Sequence, residues 1–157
     1  MYMIRSKFVN MKIVGIGAAV PTKRVDAHTF DEIFGAETVD KIISVTGVRT
    51  TYHALPEQTS SDFGFAAAQK LLDVLNIDPA TIGVLIFTAA YLDYIVPPTA
   101  CVLHHRLGLS QDCIAYDTNL GCSGYVYALQ TMCATLHTTN ATRGLLITGD
   151  ITSKVVS

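Results

Sequence analysis

The chain has 157 residues, a formal net charge of -2, 50% hydrophobic residues and only 15% charged ones. That length suits one domain with a real core, and the 11 basic residues are scattered, leaving no footprint for nucleic acid. So much apolar content with so few charges implies apolar surface that a partner, or sequence outside this chain, would cover.

Residues 1–10 read as a lead-in and residues 11–157 as the folded domain. An apolar run over residues 13–20, behind Arg5, Lys7 and Lys12, imitates a secretion signal. It stops at Pro21 and falls far short of the ~20 apolar residues of a membrane span, so a buried first strand over residues 11–17 is expected. No membrane span, a cytoplasmic location and four reduced cysteines are then expected. Gly15-x-Gly17 has Val20 where a dinucleotide fingerprint needs its third glycine, and reads as a strand-end turn.

Two short helices are expected over residues 26–33 and 37–43, joined at Gly35, then a turn at Thr46-Gly47-Val48 and extended chain over residues 49–52. Ser60, Ser61 and Asp62 offer N-caps to a helix ending near Asn76, with Phe63, Ala67, Leu71 and Leu75 as its buried stripe. Residues 82–88 form a continuous apolar run, as in a parallel strand covered on both faces. A loop over residues 90–96 leads to Pro97-Pro98, which open a helix stopped by Gly108. Residues 113–116 and 145–148 read as further strands. Between them, residues 125–136 are apolar nearly all round, which predicts a buried central helix. The alternation makes this an α/β chain with right-handed crossovers and a mainly parallel sheet of four strands.

One cysteine stands apart. Cys122 lies between the strand ending near Tyr116 and the next helix, flanked by Gly121, Ser123 and Gly124, which let the chain turn sharply and leave the thiol uncrowded. A cysteine at a helix start faces unpaired N–H groups and the positive end of the helix dipole, which favour thiolate and nucleophilic chemistry. Cys101, Cys113 and Cys133 lack that setting and read as small buried hydrophobes, and the four together have no metal-ligand spacing. Asp117 reads as the end of its strand and a hydrogen-bond support for the elbow, with Asp150 playing a similar part after the last strand.

The stretch Asp117-Thr118-Asn119-Leu120-Gly121-Cys122-Ser123-Gly124-Tyr125-Val126-Tyr127-Ala128-Leu129 resembles the active-site segment of β-ketoacyl-acyl-carrier-protein synthase III, in the thiolase superfamily. Val14-Gly15-Ile16-Gly17 with Pro21, Thr46-Gly47-Val48-Arg49 followed by His53, Pro97-Pro98-Thr99-Ala100-Cys101, and Gly149-Asp150 agree in order. The resemblance runs from Met11 onward and matches only the N-terminal half of such an enzyme. It implies a thiolase-like half domain, with helices on both faces of the sheet and a buried central helix.

The resemblance also implies an acyltransferase in which Cys122 takes an acyl group from a thioester. The acyl-cysteine is then condensed with a malonyl thioester, which loses carbon dioxide, in fatty-acid or related biosynthesis. The backbone N–H of Cys122 would serve the oxyanion. Arg49 matches a residue at the substrate entrance, and Val96 matches an aromatic that caps the acyl pocket across a dimer. Lys41 and Val45 replace a tryptophan and an arginine that hold coenzyme A, which points to a donor on another carrier. The partners implied are an acyl carrier protein, the acyl thioester and a second copy of the chain, with no cofactor and no metal. The histidine and asparagine that such enzymes use for decarboxylation come from the second half and match no position here, so condensation by this chain alone is not expected. The alternative is a non-catalytic dimerisation or carrier-binding module derived from the same fold.

Overall fold

The computed structural model describes residues 5–155, so the lead-in expected over residues 1–10 lies partly outside the described residues. The chain divides into two compact units, one of residues 5–19 with Ser60–Asp150, the other of residues 20–59 with 151–155.

The larger unit is built on a three-stranded parallel sheet in the order β4-β3-β5. The strands are β3 (Val84–Ala89), β4 (Ile114–Asn119) and β5 (Gly144–Thr148). Strand β3 is buried at every position, because it is paired on both edges and covered on both faces. Its side chains alternate between two cores. Leu85, Phe87 and Ala89 join Leu145 and Ile147 against helix α3 (Ser60–Leu75) and helix α4 (Thr99–Arg106). Val84 and Ile86 face Ala128 and Met132 of helix α5 (Gly124–Thr138).

Helix α3 buries Ser61, Gly64, Ala68 and Leu72 rather than the expected stripe of Phe63, Ala67, Leu71 and Leu75. The two stripes differ by one residue of rotation, and the large side chains favoured the wrong one. The buried face is made of small residues so that the helix can lie close to the sheet. A Cβ on Gly64 would stand 2.9 Å from Ile147 Cγ2. Leu71 and Leu75 instead lie under residues 15–17, where a Cβ on Gly15 would stand 2.7 Å from Leu75 Cδ1 and one on Gly17 would stand 3.1 Å from the Ala67 carbonyl oxygen. Gly15-x-Gly17 is therefore a close crossing of backbone over helix, not a strand-end turn.

The strand expected over residues 11–17 does not form, and the sheet has three strands where four were expected. A strand exists only by pairing, and this segment lies along α3 instead of beside β4 or β5. Ile16 is left 83% exposed. Helix α5 is buried along Gly124, Ala128 and Met132 only, not all round, and Val126 on its first turn is 66% exposed. Among the described residues, no helix is long and apolar enough to cross a membrane.

The smaller unit pairs β1 (Lys23–Asp26) with β2 (Thr50–His53) as an antiparallel ribbon. Between them, Asp26 closes β1 and caps a 3-10 turn through the His28 N–H, followed by α1 (Asp31–Phe34) and α2 (Ala36–Thr46). Asp26 thus ends a strand rather than beginning the helix expected from there. Gly47, at φ 73, ends α2 in the left-handed conformation, and its N–H bonds to the Ile43 carbonyl. Val39 and Ile43 are the buried residues of α2.

The rotation of α3 is directly testable. Leu72→Ala is expected to cost about 2–5 kcal/mol in urea unfolding, and Leu75→Ala about 1 kcal/mol or less, because Leu72 is 3% exposed and Leu75 37%. Equal losses, or the reverse order, would contradict the observed face.

Candidate functional site

Strand β4 carries the chain to the C-terminal end of the sheet, and residues 120–123 turn it into α5. Cys122 sits in this turn with its side chain exposed. The turn is closed by the Gly124 N–H donating to the Gly121 carbonyl at 2.7 Å, and the Val126 and Tyr127 N–H groups donate to the Ser123 carbonyl at 3.1 and 3.2 Å. Among the described residues, the Cys122 N–H has no hydrogen-bond partner. An exposed thiol and an unpaired N–H on one residue, just before the Ser123 N-cap of a 15-residue helix, can serve a nucleophilic addition and receive the negative charge it creates.

The glycines of the turn matter through space rather than through φ, since the positive-φ glycines are Gly35, Gly47 and Gly108. Gly124 stands over Thr88, a fully buried hydroxyl on β3, and a Cβ there would lie 2.8 Å from Thr88 Oγ1 and 3.2 Å from Leu120 Cβ. Gly121 has only Ala90 near it, at 3.6 Å. Thr88 Oγ1 donates to the Thr118 carbonyl at 3.0 Å, tying β3 to β4 just before the turn.

Asp117 does not support the elbow as expected, nor does it end β4, which runs on to Asn119. Its carboxylate accepts the N–H groups of Thr99 and Ala100 at 2.6 and 2.7 Å and so caps α4, whose N-cap Pro98 has no side chain to do so. Asp93 does the same for α3, accepting from Ser60 and Ser61 at 3.0 and 2.9 Å. Those serines were expected to cap the helix themselves. Asp93 was missed because the cap comes from 32 and 33 residues away, beyond the reach of any local pattern. Asp150 accepts from the N–H groups of Ala90 and Tyr91, and Asn119 donates to the carbonyls of Ala89 and Ala90.

Cys101 is exposed on the outer side of α4, not buried as expected, because Ala100 and Leu103 take the inward positions. Cys113 and Cys133 are half-buried. Burial pushes the Cys113 thiol above its ordinary value, against a smaller opposing effect of a hydrogen bond with the Leu85 backbone. Cys113 also lines a cleft of about 310 Å³ with Thr81, Ser110 and Asn140, at the end of the sheet opposite Cys122. Among the described residues no imidazole hydrogen-bonds to Cys122. His104 Nε2 pairs with the Ser110 carbonyl at 2.8 Å, and His137 meets Phe8 edge-on. Val96, 81% exposed, lies on the loop before α4, in the same unit as Cys122. Arg49 lies in the smaller unit, just before β2, where its carbonyl accepts the Ala27 N–H.

The family model for 3-oxoacyl-[acyl-carrier-protein] synthase III matches residues 116–157. A 3-oxoacyl-(acyl-carrier protein) synthase from Burkholderia xenovorans LB400 is similar at 36% identity and a TM-score of 0.84, over 90% of this chain and 42% of that one. A 3-oxoacyl-(acyl-carrier-protein) synthase III is similar at 33% identity and a TM-score of 0.84, over the same shares of the two chains. AbyA1, a tetronic acid condensing enzyme, is similar at 26% identity and a TM-score of 0.79, over 90% of this chain and 46% of that one. The chain therefore spans less than half the length of these solved relatives.

The contact between Gly124 and Thr88 yields a double-mutant test. Gly124→Ala is expected to cost about 1–3 kcal/mol in urea unfolding, and clearly less when made in a Thr88→Ala background, where the blocking hydroxyl is gone. Additive losses would show that the helix start does not rest on Thr88.

Proposed function

We propose that this chain, whose fold is similar to that of 3-oxoacyl-acyl-carrier-protein synthase III over 42% of the relative's length, corresponds to the N-terminal half of such an enzyme and carries the acyl-loading site, with Cys122 as the nucleophile. The observation that carries the reading is the exposed thiol at the start of α5 beside its own unpaired N–H. The thiolate of Cys122 adds to the thioester carbonyl, and the Cys122 N–H holds the oxyanion. Collapse breaks the bond to the donor's sulfur, which leaves as a thiolate and takes up the proton given up by Cys122. One carbon–sulfur bond forms and one breaks, so the step needs no oxidant and no cofactor.

In the second step a malonyl thioester would lose carbon dioxide. Its carbanion would attack the acyl-cysteine, forming the new carbon–carbon bond and freeing the Cys122 sulfur. The groups that would stabilise that carbanion match no residue of this chain, so loading is the half-reaction assigned here. An acyl carrier protein or coenzyme A would deliver the acyl group in the cytoplasm. A second copy of the chain would pair along the open edge of β4, which is the outer strand of the sheet on that side. Arg49 and Val96 are proposed as contacts at the substrate entrance.

A second reading, a binding module without catalysis, is favoured by the apolar side chains left open in the unit that carries the turn. Tyr125, Val126 and Tyr127 on α5 and Ile95 and Val96 on the preceding loop are all exposed.

Intact mass after mixing the chain with short acyl thioesters, on coenzyme A and on carrier protein, separates the two. One acyl adduct, mapped to Cys122 and lost in Cys122→Ala, is the expected result. No adduct, or adducts spread equally over Cys101, Cys113, Cys122 and Cys133, would favour the binding module.

A further inference from the structure

The chain leaving β3 passes beside Gly121, and it is gripped from both sides. From β4, Asn119 Nδ2 donates to the carbonyls of Ala89 at 3.3 Å and Ala90 at 2.9 Å. From beyond β5, the Asp150 carboxylate accepts the N–H groups of Ala90 at 3.1 Å and Tyr91 at 2.9 Å. The peptide group joining Ala90 to Tyr91 thus has its C=O held by one flanking strand and its N–H held from the other. Both ends of a planar unit are fixed, so the whole unit is fixed. The Ala90 side chain extends from this clamped backbone to 3.6 Å from the position of a Gly121 Cβ, one residue before Cys122.

We infer, building on the acyl-transfer role proposed above, that Asn119 is a positioning residue. With Asp150 it clamps the Ala90–Tyr91 peptide as the wall against which the Cys122 turn is set. The residue type fits the task. A primary amide nitrogen has two N–H groups and meets two carbonyls, whereas a carboxylate of the same size would turn lone pairs toward both. Asn119 shares its strand with Thr118, whose carbonyl is held by Thr88, so the wall and the floor under Gly124 are fixed by consecutive residues. The Cys122 N–H serves an oxyanion only when it points at the spot where charge develops, and that direction follows the wall.

The test uses the full chain and two chemistries at the same sulfur. Acylation by a thioester needs the N–H to be aimed, whereas alkylation by iodoacetamide passes through no oxyanion. Asn119→Asp is expected to slow acylation at Cys122 by about tenfold or more while changing alkylation by about twofold or less. The Tyr91 amide should also exchange its hydrogen faster. Asp150→Asn, which keeps one acceptor, should move all three readouts the same way by less, and it serves if Asn119→Asp does not fold. Acylation that is unchanged, or that falls in step with alkylation, overturns the positioning role. A wild-type chain that takes no acyl group at Cys122 overturns the acyl-transfer reading itself, and the wild-type arm distinguishes that failure from the failure of the variants.

Discussion

The constraint on which the larger unit depends is the double pairing of β3. A strand hydrogen-bonded on both edges and buried on both faces can hold nothing but apolar or internally satisfied side chains, and five of the six residues of β3 are apolar. The sixth is Thr88. Its hydroxyl is satisfied by the Thr118 carbonyl, and it lies beneath Gly124. The one polar side chain on the central strand therefore stands where the sheet stops being structural and the cysteine turn begins. The parallel register sets Ala89 beside Asn119, so the loop after β3 and the turn after β4 leave the sheet as neighbours.

Above that sheet the loops are held by side chains rather than by further strand pairing. Asp93, Asp117 and Asp150 each accept two successive backbone N–H groups, and Asn119 covers two carbonyls. Four N–H groups at the starts of α3 and α4 would otherwise be orphaned, each helix losing stability on the order of 1 kcal/mol. Two carboxylates at helix N-termini also sit favourably against the helix dipoles. The end of the sheet that carries Cys122 is thus held by bonds from side chains to backbone, which under the acyl-transfer reading would keep an N–H aimed.

Much of this was legible in the sequence. The apolar run over residues 82–88 announced a buried parallel strand, the Gly-Cys-Ser-Gly setting singled out Cys122 in its turn, and polar, proline and glycine boundaries together with apolar content placed α3, α4 and α5 within a few positions. What failed did so for two physical reasons. Pairing and capping partners lie far away in the chain: residues 11–17 look like a strand but find no partner, and Asp93 and Asp117 cap helices that no local pattern links to them. The second reason is that close packing rewards small residues. The face of α3 that meets the sheet is Ser61-Gly64-Ala68, which a search for large apolar side chains passes over in favour of Phe63 and Leu71. The same logic applies at Gly15, Gly17 and Gly124, each read as part of a turn and each in fact a point of close approach.

Held loops and an exposed apolar flank meet at Cys122. Below the turn, Thr88 and the Ala90–Tyr91 peptide are held by hydrogen bonds, while Cys122 and the first turn of α5 are exposed. Electrostatic help from a backbone N–H grows as water is excluded, because the field it presents is no longer screened. Under the acyl-transfer reading, the clamped turn supplies the direction of that N–H and leaves exclusion of water to whatever covers Tyr125, Val126 and Tyr127. The apolar excess met first in the composition and the exposed apolar flank of the cysteine are then one fact seen at two scales. On that reading this chain would supply the nucleophile, and a surface covering its apolar flank would supply the low-dielectric surroundings that make it fast.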